Sequence, residues 1–458
     1  MDKNIFSKSI LIILIIILLA FAALIFFSNW RHWRGPVPIS AYEGNAFFPE
    51  ITINGQGDAL VIWEQQDGYS HKFKLSSSGY SKGKWKHINS LPLYLINKPD
   101  ILWPPDIAFL NKGAKALCVF SQLDFTNGYL EAAYSSPQTI YSSSYDTSKG
   151  WTTAETISSQ RVGAYHPQIA IDSKDIPTVI WRQIDTHTYQ IYAAKYPSNR
   201  WGSPEIISNN FFGDAYNPRI VIDPKDNVVA IWDQAINGHY KICTNRASNN
   251  RWKSPRTISP DRKGDAFEPQ LAAYPKGDIL AVWTQWEKNF YKIYTSTFSI
   301  DKDLWTKPEA VSSNTLGSAY SPKVAINKKG TAVITWIEWD GECYKVHSRF
   351  FYLGKWRKDV EISANISRAK EDAYIPQIVI DSNNKAIIIW KQRINNYYKI
   401  FGAESSSFDS WKSPQMVSGR GLNSIDAPKL AMDEKGNAIA VWTQTDGSYY
   451  KIYSNVFK

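Results

Sequence analysis

The chain of 458 residues is 43% hydrophobic and only 21% charged, which excludes general disorder and leaves enough apolar material for a large buried interior. Its net charge of +10 invites a nucleic-acid partner, but the basic residues are spread among 42 acidic ones with no stripe that would track phosphates, so nucleic acid is not expected. Cys118, Cys243 and Cys343 are odd in number and lie at non-equivalent positions, so neither a disulfide framework nor a metal or other cofactor is expected.

Residues 1–9 read as a short polar tail. Ile10 to Phe27 are eighteen consecutive apolar residues, and as a helix they would extend about 27 Å, close to the hydrocarbon thickness of a bilayer. The segment is expected to be an uncleaved transmembrane signal-anchor, since cleavage after Ala22 would leave Ala23 to Phe27, all apolar, at a new terminus. Lys3 and Lys8 precede it and Arg31 and Arg34 follow, so charge alone does not orient it. A large domain after such an anchor is expected on the extracytoplasmic side, with secretion as the alternative.

From Trp33 onward the chain repeats. A proline is followed fourteen or fifteen residues later by an aromatic residue in Pro49/Trp63, Pro105/Phe120, Pro167/Trp181, Pro218/Trp232, Pro269/Trp283, Pro322/Trp336, Pro376/Trp390 and Pro428/Trp442. One supersecondary unit is therefore copied end to end. In the fourth copy, PRIVID and VVAIWDQ flank Pro224-Lys-Asp-Asn227, YKICTN follows Asn237-Gly238, and a last run begins at Trp252. Short β-branched runs separated by hairpin turns give four strands per unit. Residues 33–458 are expected to form an all-β, eight-bladed β-propeller of four-stranded antiparallel blades. Seven blades is the alternative, if the second unit, with an insertion around Pro137 to Thr147, is not a true blade.

The ends of the array complete each other. Complete units finish with a Trp and a Ser seven residues on, as in Trp252/Ser259, whereas the last unit lacks this segment and Trp33 to Ser40 supplies it at the other end. Trp33 to Ser40 is expected to close the ring beside Tyr450 to Val456, removing the exposed edges a linear array would leave.

Comparing slots between repeats separates scaffold from site. Two residues past the core aromatic stands Gln in seven units (Gln65, Gln122, Gln183, Gln234, Gln285, Gln392, Gln444) and Glu338 in the other. Nine past it is usually Lys, and two before the proline an aromatic. A polar group repeated in every blade is expected to satisfy inter-blade hydrogen bonds. The residue three past the core aromatic varies and becomes Trp286, Trp339 and Arg393 in three successive units. With Glu338 these form the expected ligand-binding patch, two indoles to stack on sugar rings and a guanidinium to pair with a carboxylate.

Asp223…Trp232, Asp381…Trp390 and Asp433…Trp442 loosely resemble the Asp-box repeats of sialidase-like propellers, and the whole array resembles bacterial secreted or membrane-anchored propeller-repeat proteins with units of the form Ala-x-x-Pro…Asp-x-x-Gly-Asn…Trp-x-Gln. The match departs from a true Asp box, since Trp442 lies six residues past Gly436 rather than three. The three converging arginines of sialidases are represented only by Arg182, Arg219 and Arg393, which occupy different slots. With no catalytic constellation recognised, the expectation is a non-enzymatic, membrane-anchored module that binds or scaffolds a protein or an acidic glycan. A sialidase-like carbohydrate-active hydrolase and a subunit of an envelope-assembly complex are the alternatives.

Overall fold

The computed structural model describes residues 32–458 apart from 71, 92–103, 112, 114, 124–137, 160–162, 198–199, 250, 261–263, 314–315, 364–370, 395 and 420–427. The expected anchor over residues 10–27 lies outside the described residues. The described strands form eight antiparallel sheets, the blades of one propeller. In blade 4 the order from the axis outward is Ala215–Ile222, Val228–Ile236 and His239–Ser248, and then a fourth strand broken into Arg251–Trp252 and Arg256–Thr257. The break falls at Pro255, which has no N–H to give the ladder. Blade 2 is a full blade. What the sequence suggested as an insertion around 137–147 is its third strand, Gln138–Asp146, paired along Lys115–Leu123.

Blade 8 takes its outer strand from the other end of the chain. Val37 pairs with Ser454 and Pro38 with Tyr453, and a bridge joins Trp33 to Phe457. The two rings of that bridge meet edge to face at 5.3 Å.

The core lies between blades. The second strands are almost wholly buried, and Trp63, Trp181, Trp232, Trp283, Trp336, Trp390 and Trp442 are 0% exposed. Burying seven indoles requires seven acceptors. The slot two residues on supplies them: Gln Oε1 accepts from Trp Nε1 at 2.8–3.2 Å in six blades, and Glu338 does so for Trp336. The Gln amide then donates to the loop entering its own blade, as Gln234 does to Asn209 O and Gly213 O. These bonds tie each blade to the connection arriving from its neighbour, as the sequence suggested, and Gln234 Nε2 also lies 3.5 Å from Gln190 Oε1 of the preceding blade. The lysine slot holds the same connections from the blade they leave, with Lys451 Nζ on Ala41 O and Lys241 Nζ on Pro260 O.

On the opposite face, Asp or Asn staples the turn between first and second strands. In six blades its Oδ1 accepts from the N–H groups two and four residues on at 2.7–3.0 Å, as in Asp223 with Lys225 and Asn227. The Asp-box-like motif is therefore turn architecture.

Candidate functional site

The first strand of each blade lies against the first strands of its neighbours, so together they surround the propeller axis. In six blades this strand carries a bulge just before its proline, where Phe48, His166, Asn217, Glu268, Ser321 and Ile375 adopt φ of 50–58°. A left-handed residue in each bulge re-aims the side chains on either side. The slot after the proline then reads Glu50, Asp106, Gln168, Arg219, Gln270, Lys323, Gln377 and Lys429. It is polar in every blade, yet the charge changes sign around the ring.

These groups feel one another's charge around the axis, and several are held in local pairs. Glu50 is ion-paired with Lys429 across the ring closure. Asp106 accepts from Ile107 N and Ile169 N, both at 2.9 Å. The Arg219 guanidinium lies 3.3 Å from His166 Nε2, the two coming from adjacent blades. Asp233 accepts from Asn217 Nδ2 at 2.9 Å, and Glu268 accepts from Ser321 N at 2.9 Å. Most of these side chains retain some solvent exposure while being packed round by protein.

That environment penalises charge. Burial, reinforced by the Glu50 charge, pushes the Asp106 carboxyl up to about 6. Burial, reinforced by Glu268, takes Asp233 to about 7. Lys323 falls to about 7 through burial and the neighbouring Arg219 and Lys429 charges. His166 is held well below its usual range by burial and by Arg219 and Arg182. Two carboxyls and an amine thus exchange protons near neutrality, the property acid–base chemistry requires.

Around the end of the barrel where the second-to-third-strand loops lie, aromatic residues form a rim. Tyr189 bridges Tyr165 and Tyr216, with ring centroids 6.1 and 5.8 Å away, and Tyr291 bridges Phe267 and Tyr320 at 5.0 and 5.3 Å. Phe47 meets Tyr450 at 5.2 Å where the ring closes. Arg182 lies 4.4–5.3 Å from the ring centroids of Tyr165, Tyr189 and Tyr216. Arg219 contacts His166 and the Arg182 charge also acts on it, so the fold brings the charges of two arginines in different repeat slots to bear on one imidazole.

The ligand patch expected from sequence lies on the same rim. Trp286 meets Tyr291 edge to face at 4.9 Å and Trp339 meets Tyr344 at 5.3 Å, so both indoles join the belt that continues through Tyr320. Each also covers a glycine of the loop entering its blade. A Cβ placed on Gly264 would stand 2.7 Å from Trp286, and one on Gly317 2.4 Å from Trp339. Arg393 is exposed and donates to Asn396 Oδ1 at 2.7 Å. Glu338 is buried beneath Trp336 and does not join the other three at the surface.

No family model and no curated protein matches the chain. Among solved structures it is similar to a polysaccharide lyase, an ulvan lyase bound to a GlcA–Rha3S oligosaccharide, at 8% identity and a TM-score of 0.47 over 74% of this chain and 89% of that one. It is also similar to an α-L-arabinofuranosidase of Fusarium graminearum in complex with arabinobiose (14% identity, TM-score 0.40, 63% and 91%) and an α-L-arabinanase of Penicillium chrysogenum complexed with arabinobiose (10%, 0.39, 78% and 94%). The likeness is one of fold. The expectation of a non-enzyme is corrected by these three structures, each of which is an enzyme by name. The ionisable cluster draws on seven blades, so no short motif in the sequence contains it. The signal that would have found it is the slot after the repeated proline, polar throughout and never constant in charge.

Proposed function

We propose that the chain is a carbohydrate-active enzyme that cleaves an acidic glycan at the aromatic-rimmed mouth of the central channel. The observation that carries this reading is the ring of unlike charges on one repeated position, with Asp106 protonatable near pH 6 beside a salt-bridged Glu50. Glycosidic-bond cleavage uses a carboxylic acid that protonates the leaving oxygen and a carboxylate that activates water or attacks, their environments driving their protonation apart. Asp106 takes the first role and Glu50 the second. Arg219 and Lys323 hold the acidic group of the sugar, and Tyr165, Tyr216, Trp286 and Trp339 offer ring faces to the rest of the chain. The apolar segment 10–27 holds the enzyme at the membrane, on the extracytoplasmic side.

The test is a panel of acidic and neutral polysaccharides incubated with the full-length chain, scored for new reducing ends. Cleavage confined to acidic glycans and lost in Asp106→Asn and Glu50→Gln supports the reading. Glycan binding without turnover by the unaltered chain defeats it.

A further inference from the structure

Blade 6 departs from its sister blades at three positions that meet in space. The slot that is Gln in seven blades is Glu338. The residue opposite the core aromatic is Tyr141, Tyr192, Tyr294, Phe401 or Tyr453 in five blades and Ser76 or Cys243 in two, but His347 here. Three residues past the outer-strand Trp stands proline in five blades and Ile88 or Ala154 in two, but Asp359 here. In each slot blade 6 alone carries a carboxylate or an imidazole. One ligand atom from each of the three lies within 4.8 Å of the others.

We propose that Glu338, His347 and Asp359 bind a divalent transition-metal ion, with zinc the ion this mixed nitrogen and oxygen set best suits. His347 Nδ1 and Asp359 Oδ1 are 3.0 Å apart, close to the roughly 3.3 Å that separates two ligands held at about 2.0–2.1 Å on a tetrahedral ion. Outer contacts fix all three donors, as metal ligands require. Trp336 Nε1 donates to Glu338 Oε2, Ser313 Oγ donates to Asp359 Oδ2 at 3.0 Å, and the His347 ring stacks on Trp336 at 5.8 Å and 21°. The indole does not need the acid, because neutral Gln serves it in six other blades. A carboxylate 1% exposed is costly to bury, and a cation shared with His347 and Asp359 answers that cost. The ligands come from the second strand, the third strand and the break in the fourth, so no local Cys/His spacing announces them.

The test is equilibrium dialysis of the full-length chain, stripped with chelator, against zinc chloride. The expected result is one tightly held equivalent and a zinc-dependent rise in melting temperature that magnesium does not reproduce. Glu338→Gln and His347→Tyr install residues that sister blades use in the same slots, so both variants should fold. Each should weaken zinc binding by at least about tenfold. Failure of the stripped chain to retain zinc overturns the proposal. So does retention equal in both variants, which would assign the zinc to surface histidines.

Discussion

Val37 pairs in register with Ser454, joining the two ends of the described chain in one blade. Ile39, 6% exposed, enters the core shared by blades 8 and 1, and the Ile39 N–H donates to Ile452 O at 2.8 Å. A fragment beginning at Glu43 loses this strand, the Trp33–Phe457 contact and the cover of the third strand. Compared with a fragment beginning at Asn29 it should be less stable by at least about 3–5 kcal/mol, the scale of deleting one large core side chain, and prone to edge association. Thermal melting and light scattering of the two fragments provide the check, and equal melting temperatures would refute the closure argument.

The rim indoles and the core indoles should respond differently to truncation. Trp283→Ala removes a fully buried side chain and leaves Gln285 without its indole donor, at a cost of about 3–5 kcal/mol. Trp339→Ala should cost less, because the ring is only partly buried. Gly317→Ala should destabilise by roughly 1–3 kcal/mol, since its methyl group would stand 2.4 Å from Trp339. Denaturant titrations of the three variants order these values directly.

The Pro/Trp spacing and the Trp-x-Gln pair were legible in the sequence because each is enforced by a local physical need that recurs in every blade: a bulge on the inner strand and an acceptor for a buried indole. Ring closure was legible for the same reason, as Trp33 to Ser40 keeps the spacing of the outer strands. The channel was not. Asp106, Arg219 and Lys323 each look like an ordinary polar strand residue, and only the closed ring sets them beside one another. Glu338 was visible as an exception, and Asp359 breaks the Trp-to-Pro spacing, but only the strand register sets them beside His347.

The buried channel charges give stability a distinctive pH dependence. Asp106 and Asp233 bind protons more tightly in the folded chain than in the unfolded one, so between about pH 4 and their folded values of about 6 and 7 the native state holds more protons and stability falls as pH rises. Lys323 has the opposite sense. Its folded value of about 7 lies below the ordinary lysine range, so the unfolded state holds more protons above pH 7 and stability recovers towards pH 10. The channel's contribution should therefore be lowest near pH 7. Asp233→Asn should raise stability at pH 8 by roughly 1–3 kcal/mol and flatten the acid limb. Chemical denaturation across pH 4–10 tests both signs, and a maximum at pH 7 that Asp233→Asn leaves unchanged would contradict them.

Attachment is testable in cells. Protease added to intact spheroplasts should digest the propeller, which should otherwise sediment with membranes; full protection would place it in the cytoplasm. Release into the medium would instead favour cleavage after Ala22.

The most direct measurement is the pH–rate profile of glycan cleavage by the unaltered chain and by Asp106→Asn. If Asp106 donates the proton to the leaving oxygen, kcat/KM on the cleaved acidic glycan should fall as pH rises through about 6, the value at which burial and Glu50 hold that carboxyl. Asp106→Asn should lose at least about a hundredfold in kcat, the lower bound for removing a general acid, while keeping its melting temperature within a few degrees. An Asp106→Asn enzyme that retains full activity with the same pH profile would contradict the assignment of the channel as the active site.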